Sequence, residues 1–95
     1  MGTQRAKCIG VVDGSMFILE GGETVTLAGV HAPRMGIPGG SAMRTVLQRH
    51  VQDQEILYEQ VGRDRSGFAA VSASVNKQDL TAAMKQALID YGYVN

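Results

Sequence analysis

Residues 7–30, KCIGVVDGSMFILEGGETVTLAGV, decide the fold class. Lys7 to Val12 is short and β-rich, and it ends at Asp13-Gly14, a dipeptide suited to a hairpin turn. Met16, Phe17, Ile18 and Leu19 form the return strand, closed by Glu20-Gly21-Gly22-Glu23, a second turn signal. From Thr24 to Val30, Val25, Leu27 and Gly29 alternate with Thr24, Thr26, Ala28 and Val30, the two-residue period of a third strand. The stretch reads as a three-stranded antiparallel meander.

Beyond it, His31 to Gly40 holds two Pro and three Gly and reads as a loop. Ser41 then caps a helix over 41–52, with Met43, Val46, Leu47 and Val51 on one apolar stripe and Arg44, Gln48 and Arg49 facing water. Glu55 to Val61 returns to strand character, residues 62–67 are a polar turn, and Phe68 to Val75 alternates as a last strand. Asp79 caps a second helix over 79–91, whose stripe is Leu80, Ala83, Met84, Ala87, Leu88 and Tyr91. The order β-β-β-α-β-β-α predicts a mainly β chain with helices, five strands closed as an OB-like barrel.

The length of 95 residues fits one domain spanning 1–95, with residues 1–6 expected as a flexible lead-in. A content of 44% hydrophobic and 19% charged residues argues against disorder. Nine Lys+Arg balance nine Asp+Glu, so no global positive field draws nucleic acid, and such binding would need a local patch. A single cysteine, Cys8, excludes an internal disulfide and a Cys-based zinc site, and its β-rich flanks make it a packed apolar group. No apolar run approaches the ~18 residues of a membrane span, and no secretion-signal pattern is visible. The compartment is not written in the chain.

Three segments together resemble the staphylococcal nuclease-like (thermonuclease) family: residues 11–14 (VVDG), 25–33 (VTLAGVHAP) and 62–67 (GRDRSG). Gln78-Asp79-Leu80, followed by a Met- and Ala-rich helix, fits the same family's strand-to-helix step. The resemblance runs from about Lys7 to the end of the chain. It implies an OB-like barrel, a further C-terminal helix that this chain does not reach, and calcium-dependent phosphodiester hydrolysis.

The positions to which the resemblance assigns chemistry are substituted. Ser15 stands where it implies a calcium-ligating Asp, and His31 where it implies a second. Thr26 and Phe68 replace two phosphate-binding arginines, and Arg34 replaces the glutamate that would act as general base. Only Asp13 persists among the acidic pocket residues. Calcium needs several hard oxygen ligands, a general base must accept a proton near neutral pH, and an arginine stays protonated. The chain therefore reads as a non-catalytic binding or interaction module, with no catalytic residue, metal or cofactor expected.

Its partner would be a protein, or nucleic acid or another anion held weakly at His31 and Arg34, with binding that strengthens in acid as His31 gains a proton. Two alternatives stand beside this reading: a hydrolase of nucleic acid phosphodiester bonds, and a fragment of a larger multidomain protein. Arg63 and Arg65, which bracket Asp64, are expected to be a solvated and partly self-paired turn, as Arg44 and Arg49 are expected to be solvated on their helix. A metal site at His31 would need His50, which falls on a helix. Gly39-Gly40-Ser41 could hold a phosphate at a helix start, and Met16, Met43 and Met84 fall in apolar stripes as core filler. Phe68, Tyr58, Tyr91 and Tyr93 are too few and dispersed for a base-stacking platform.

Overall fold

The computed structural model describes residues 2–92. Its elements are β1 (Gln4–Val11), β2 (Met16–Leu19), β3 (Thr24–Leu27), α1 (Gly40–Val51), β4 (Glu55–Arg63), β5 (Ala69–Val75), β6 (Gln78–Asp79) and α2 (Leu80–Asp90). Five strands in the order β3-β2-β1-β4-β5 close into a barrel because β3 also pairs, in parallel, with β5. β6 adds a two-residue hairpin arm to β5. The architecture is mainly β with two helices, consistent with an OB-like barrel.

Alternation drives the closure. Phe17 and Leu19 of β2, Val25 and Leu27 of β3, and Ala69, Val71, Ala73 and Val75 of β5 all point inward and are buried. The helices cover the barrel through stripes at four-residue spacing: Met43, Leu47 and Val51 from α1, and Leu80, Met84 and Leu88 from α2. Each large side chain so buried contributes about 1.5–3 kcal/mol of transfer free energy. Asp79 caps α2 as the sequence predicts, its carboxylate accepting the Thr81 N–H at 2.9 Å.

Several boundaries move, each for a tertiary reason. β1 begins at Gln4, so the expected lead-in is shorter: Gln4 to Lys7 pair with Tyr58 back to Glu55. A bulge between Cys8 and Gly10 then turns the same strand from β4 to β2, which lets one strand serve two neighbours. β3 stops at Leu27 rather than Val30, and β4 runs on to Arg63 through a bulge that leaves Val61 58% exposed.

α1 is capped by Gly39, in the left-handed region at φ 91, and not by Ser41. Gly40 is the reason the helix starts early. A Cβ there would overlap the Arg34 carbonyl oxygen and lie 2.6 Å from its carbon, so only glycine lets the first turn pass under that loop. Arg44 is half-buried instead of solvated, and its Nε donates to the Val11 carbonyl at 3.0 Å. Met16 faces the barrel's outer surface, half-buried, and is not core. Tyr91 ends α2 as its C-cap and is exposed, because the helix breaks before the stripe reaches it. Tyr93 lies outside the described residues. Among the described residues no helix is long and apolar enough to cross a membrane.

Candidate functional site

Strand register builds the floor of one open cleft of about 1150 Å³. Met16 pairs with Thr26, and Thr26 with Ala70, so one row crosses β2, β3 and β5 on the outer face of the barrel. With strands roughly 4.8 Å apart, the row spans about 10 Å. Thr26 and Ala70 are small, so the floor stays shallow. The β1–β2 turn, the loop leaving β3 and the β4–β5 turn wall it in. This is the face, between the same two turns, that OB barrels use for ligands.

The β1–β2 turn is organised by Asp13, which is only 7% exposed. Its Oδ1 accepts the Ser15 N–H at 2.8 Å, the Ser15 hydroxyl at 3.2 Å and the Met16 N–H at 3.0 Å. The turn is tied to β3 by the Leu27 N–H, which donates to the Ser15 carbonyl at 2.8 Å. Gly14 sits where a Cβ would come within 2.7 Å of the Met43 Cβ and 2.8 Å of the Ala32 Cβ. The turn, helix α1 and the loop leaving β3 thus meet at one point with no space for a side chain.

Past Ala32, the Ile37 N–H donates to the Arg34 carbonyl at 3.1 Å, and the Gly40 N–H to the Ile37 carbonyl at 2.9 Å. Arg34 therefore has a fixed main chain and an exposed side chain on the rim. The same arrangement covers the start of α1. The Gly40 amide is committed to Ile37 and the Arg34 main chain lies against it, so Gly39-Gly40 serves the geometry of the helix entry and this amide is not open to a phosphate.

The β4–β5 turn has its own anchor. Asp64 Oδ1 accepts the Ser66 and Phe68 N–H groups, each at 2.9 Å, while Arg63 Nη1 donates to the Gly67 carbonyl at 2.9 Å. The expected self-pairing of Arg63 and Arg65 with Asp64 is not formed among the described residues: Asp64 Oδ1 serves the turn's amides and Arg63 reaches the Gly67 carbonyl instead. Among the described residues the ion pair within 4 Å is Arg5 with Glu55, at 3.8 Å and well exposed. Arg34, Arg63 and Arg65 all line the cleft without a described carboxylate partner.

Of the six positions singled out in the sequence, Asp13, Ser15, Thr26, His31 and Arg34 come together in this cleft. Phe68 does not line it; it flanks the β4–β5 turn, partly exposed. Arg44, Arg49 and His50 remain on α1 away from it. Arg63 and Arg65, read in the sequence as a solvated turn, are exposed and also line this cleft. The signal was available in the barrel order, since the β4–β5 turn of an OB fold borders the strand 2–3 face. Cys8 is fully buried, its Sγ 3.3 Å from the Gly10 carbonyl, and burial pushes its thiol above the ordinary value.

The donor set does not fit calcium. Asp13 is committed to its turn, Ser15 and Thr26 bring no charge, and three arginines ring the opening. Among the described residues no three of His, Cys, Asp or Glu gather as metal ligands. No protein-family profile and no curated protein sequence matches the chain.

Proposed function

We propose that the protein is a non-catalytic binding module of the staphylococcal nuclease-like kind, which holds an anionic group of its ligand on the outer β2–β3–β5 face. One observation carries this reading. Each carboxylate that lines the cleft turns one oxygen, Oδ1, to amide or hydroxyl donors of its own turn, whereas three arginine side chains line the cleft without a carboxylate within 4 Å among the described residues. An arriving carboxylate or phosphate would find exposed guanidinium donors suited to bidentate hydrogen bonding.

Hydrolysis is disfavoured on the same geometry. Phosphodiester cleavage asks for a base, an acid and stabilisation of charge on the reacting phosphorus. Asp13 is locked into a turn, and Arg34 cannot accept a proton. Loss of one such group costs orders of magnitude in rate, and groups that act as a unit are not rescued singly.

The test is a backbone-amide NMR titration with inorganic phosphate, with and without calcium. The expected result is shifts at Ser15, Thr26, Arg34 and Arg65 with a Kd of about 10⁻⁴ M or weaker at physiological salt, and no further change on adding calcium. Shifts confined to other surfaces would overturn the reading. Chelator-sensitive cleavage of DNA or RNA that survives repurification would replace it with the hydrolase alternative.

A further inference from the structure

Resting on that anion-binding reading, we infer that the occupant of the cleft is an extended acidic segment of a partner protein and not a nucleic acid. The argument begins with the parallel seam. Val25 pairs with Ala69 and Leu27 with Val71, and the chain enters β5 from the β4–β5 turn at the Val25 end. The Asp13–Ser15 turn meets β3 at the other end, through the Leu27 amide, and the loop that bears Arg34 packs against that turn at Gly14. Arg63 and Arg65 therefore stand at one end of the floor and Arg34 at the other. Two residues of strand separate the ends of the seam, roughly 7 Å. An extended peptide repeats its side chains on one face at the same interval, so acidic residues two or four positions apart reach both groups.

The floor between them suits a polypeptide. It is shallow at Thr26 and Ala70, and it carries a hydroxyl at Thr26, with that of Ser66 on the adjoining wall, for a passing main chain. Beside it, Met16 and the 55% exposed Ile37 offer an apolar seat for a side chain lying between two carboxylates. A nucleic acid finds less. Among the described residues no Phe, Tyr or Trp lines the cleft and its one ring is the His31 imidazole, so bases find no platform of successive rings like those that dominate sequence-tolerant single-strand binding. The chain's formal net charge of zero supplies no long-range field to gather a polyanion. Short-range complementarity at two arginine groups favours a ligand with few charges, correctly spaced.

The experiment is fluorescence anisotropy on the whole chain with three probes: a capped peptide alternating glutamate with isoleucine, its glutamine counterpart, and a single-stranded oligothymidylate of similar length. The acidic peptide is expected to bind roughly tenfold tighter than either of the others. Arg34→Glu and Arg65→Glu should each weaken it about fivefold or more, while Arg49→Glu, on α1 and outside the cleft, stays within about twofold. A folded-state amide spectrum for each variant shows that a loss is not unfolding. Equal or tighter binding of the oligothymidylate overturns the peptide inference and makes the face a nucleic-acid site. Phosphate shifts at the cleft without binding of the acidic peptide also overturn it while leaving the anion reading intact. Absence of both overturns the two together.

Discussion

Replacing Gly40 with alanine should destabilise the protein, against the usual sign for a glycine in a helix. Glycine-to-alanine in a helix interior normally stabilises by up to about 1 kcal/mol, by reducing the freedom of the unfolded chain. Gly40 is not at positive φ, so alanine suits its backbone. The obstacle is space: the added methyl would overlap the Arg34 carbonyl oxygen, with the Arg34 carbonyl carbon at 2.6 Å and the Met35 Cα at 3.1 Å. All three are main-chain atoms, which cannot rotate aside. Overpacking costs typically 1–3 kcal/mol, and contacts this short with main-chain atoms belong at the upper end, about 2–3 kcal/mol, so the net loss is about 1–2 kcal/mol once a helix gain of about 1 kcal/mol is deducted.

Urea denaturation at constant m-value reads that loss directly, and each kcal/mol corresponds to roughly 4–8 °C in Tm for a domain of this size. Gly62→Ala is the matched control, because nothing lies within 4 Å of its added Cβ and its φ is ordinary. It should stay within about 0.5 kcal/mol of the parent. A Gly40→Ala variant as stable as the parent, or more stable, would refute the packing argument. The same variant shifts the Arg34 main chain, so phosphate affinity at the cleft should fall along with stability.

Two further outcomes follow from the buried groups. Asp13→Ala removes the acceptor of two amides and a hydroxyl and should cost about 1–3 kcal/mol in urea denaturation, whereas Asp13→Asn, which keeps a carbonyl acceptor, should cost about 1 kcal/mol or less. Equal costs would mean that the charge itself matters, as it would for a cation ligand. Burial raises the Cys8 thiol, and burial followed by the nearby Glu23 carboxylate raises the Tyr58 hydroxyl. The folded state holds both protons to higher pH than the unfolded chain does, so this stabilisation is complete below about pH 9 and is lost as pH rises through the folded values. Urea midpoints measured from pH 8 to 10.5 should therefore fall with increasing pH, and Cys8 should react with a thiol reagent only as fast as the protein opens.

The barrel was legible because its determinants are local. Alternation at Phe17 and Leu19, at Val25 and Leu27, and along β5 names the inner face, and the four-residue spacing of Met43, Leu47 and Val51 names the helix stripe. The start of β1 at Gln4 was not legible, since Gln4, Arg5 and Ala6 carry no strand signal and pair only because β4 lies beside them. The cap at Gly39 was hidden for a similar reason: Ser41 has the better capping side chain, but the Arg34 loop dictates where the helix begins. At the site, the clustering of Asp13, Ser15, Thr26, His31 and Arg34 followed from the resemblance, whereas the position of Arg63 and Arg65 on the same cleft depended on where the β4–β5 turn lies against the barrel.

The parallel seam between β3 and β5 also has a kinetic meaning. The β1–β3 meander forms from neighbours in the chain, but residues 25 and 69 must find each other across α1 and β4, and loop-closure entropy opposes that step. Three paired positions and the bond from the Ala28 amide to the Val71 carbonyl hold the seam shut. The row from Met16 to Ala70 exists only while it stays shut, so a ligand lying across the row binds the closed barrel and not the opened one. Such a ligand slows exchange of the Ala28 amide with solvent by a factor of 1 + [L]/Kd when opening and reclosing equilibrate faster than the open amide exchanges. That single amide becomes a gauge of both barrel closure and cleft occupancy.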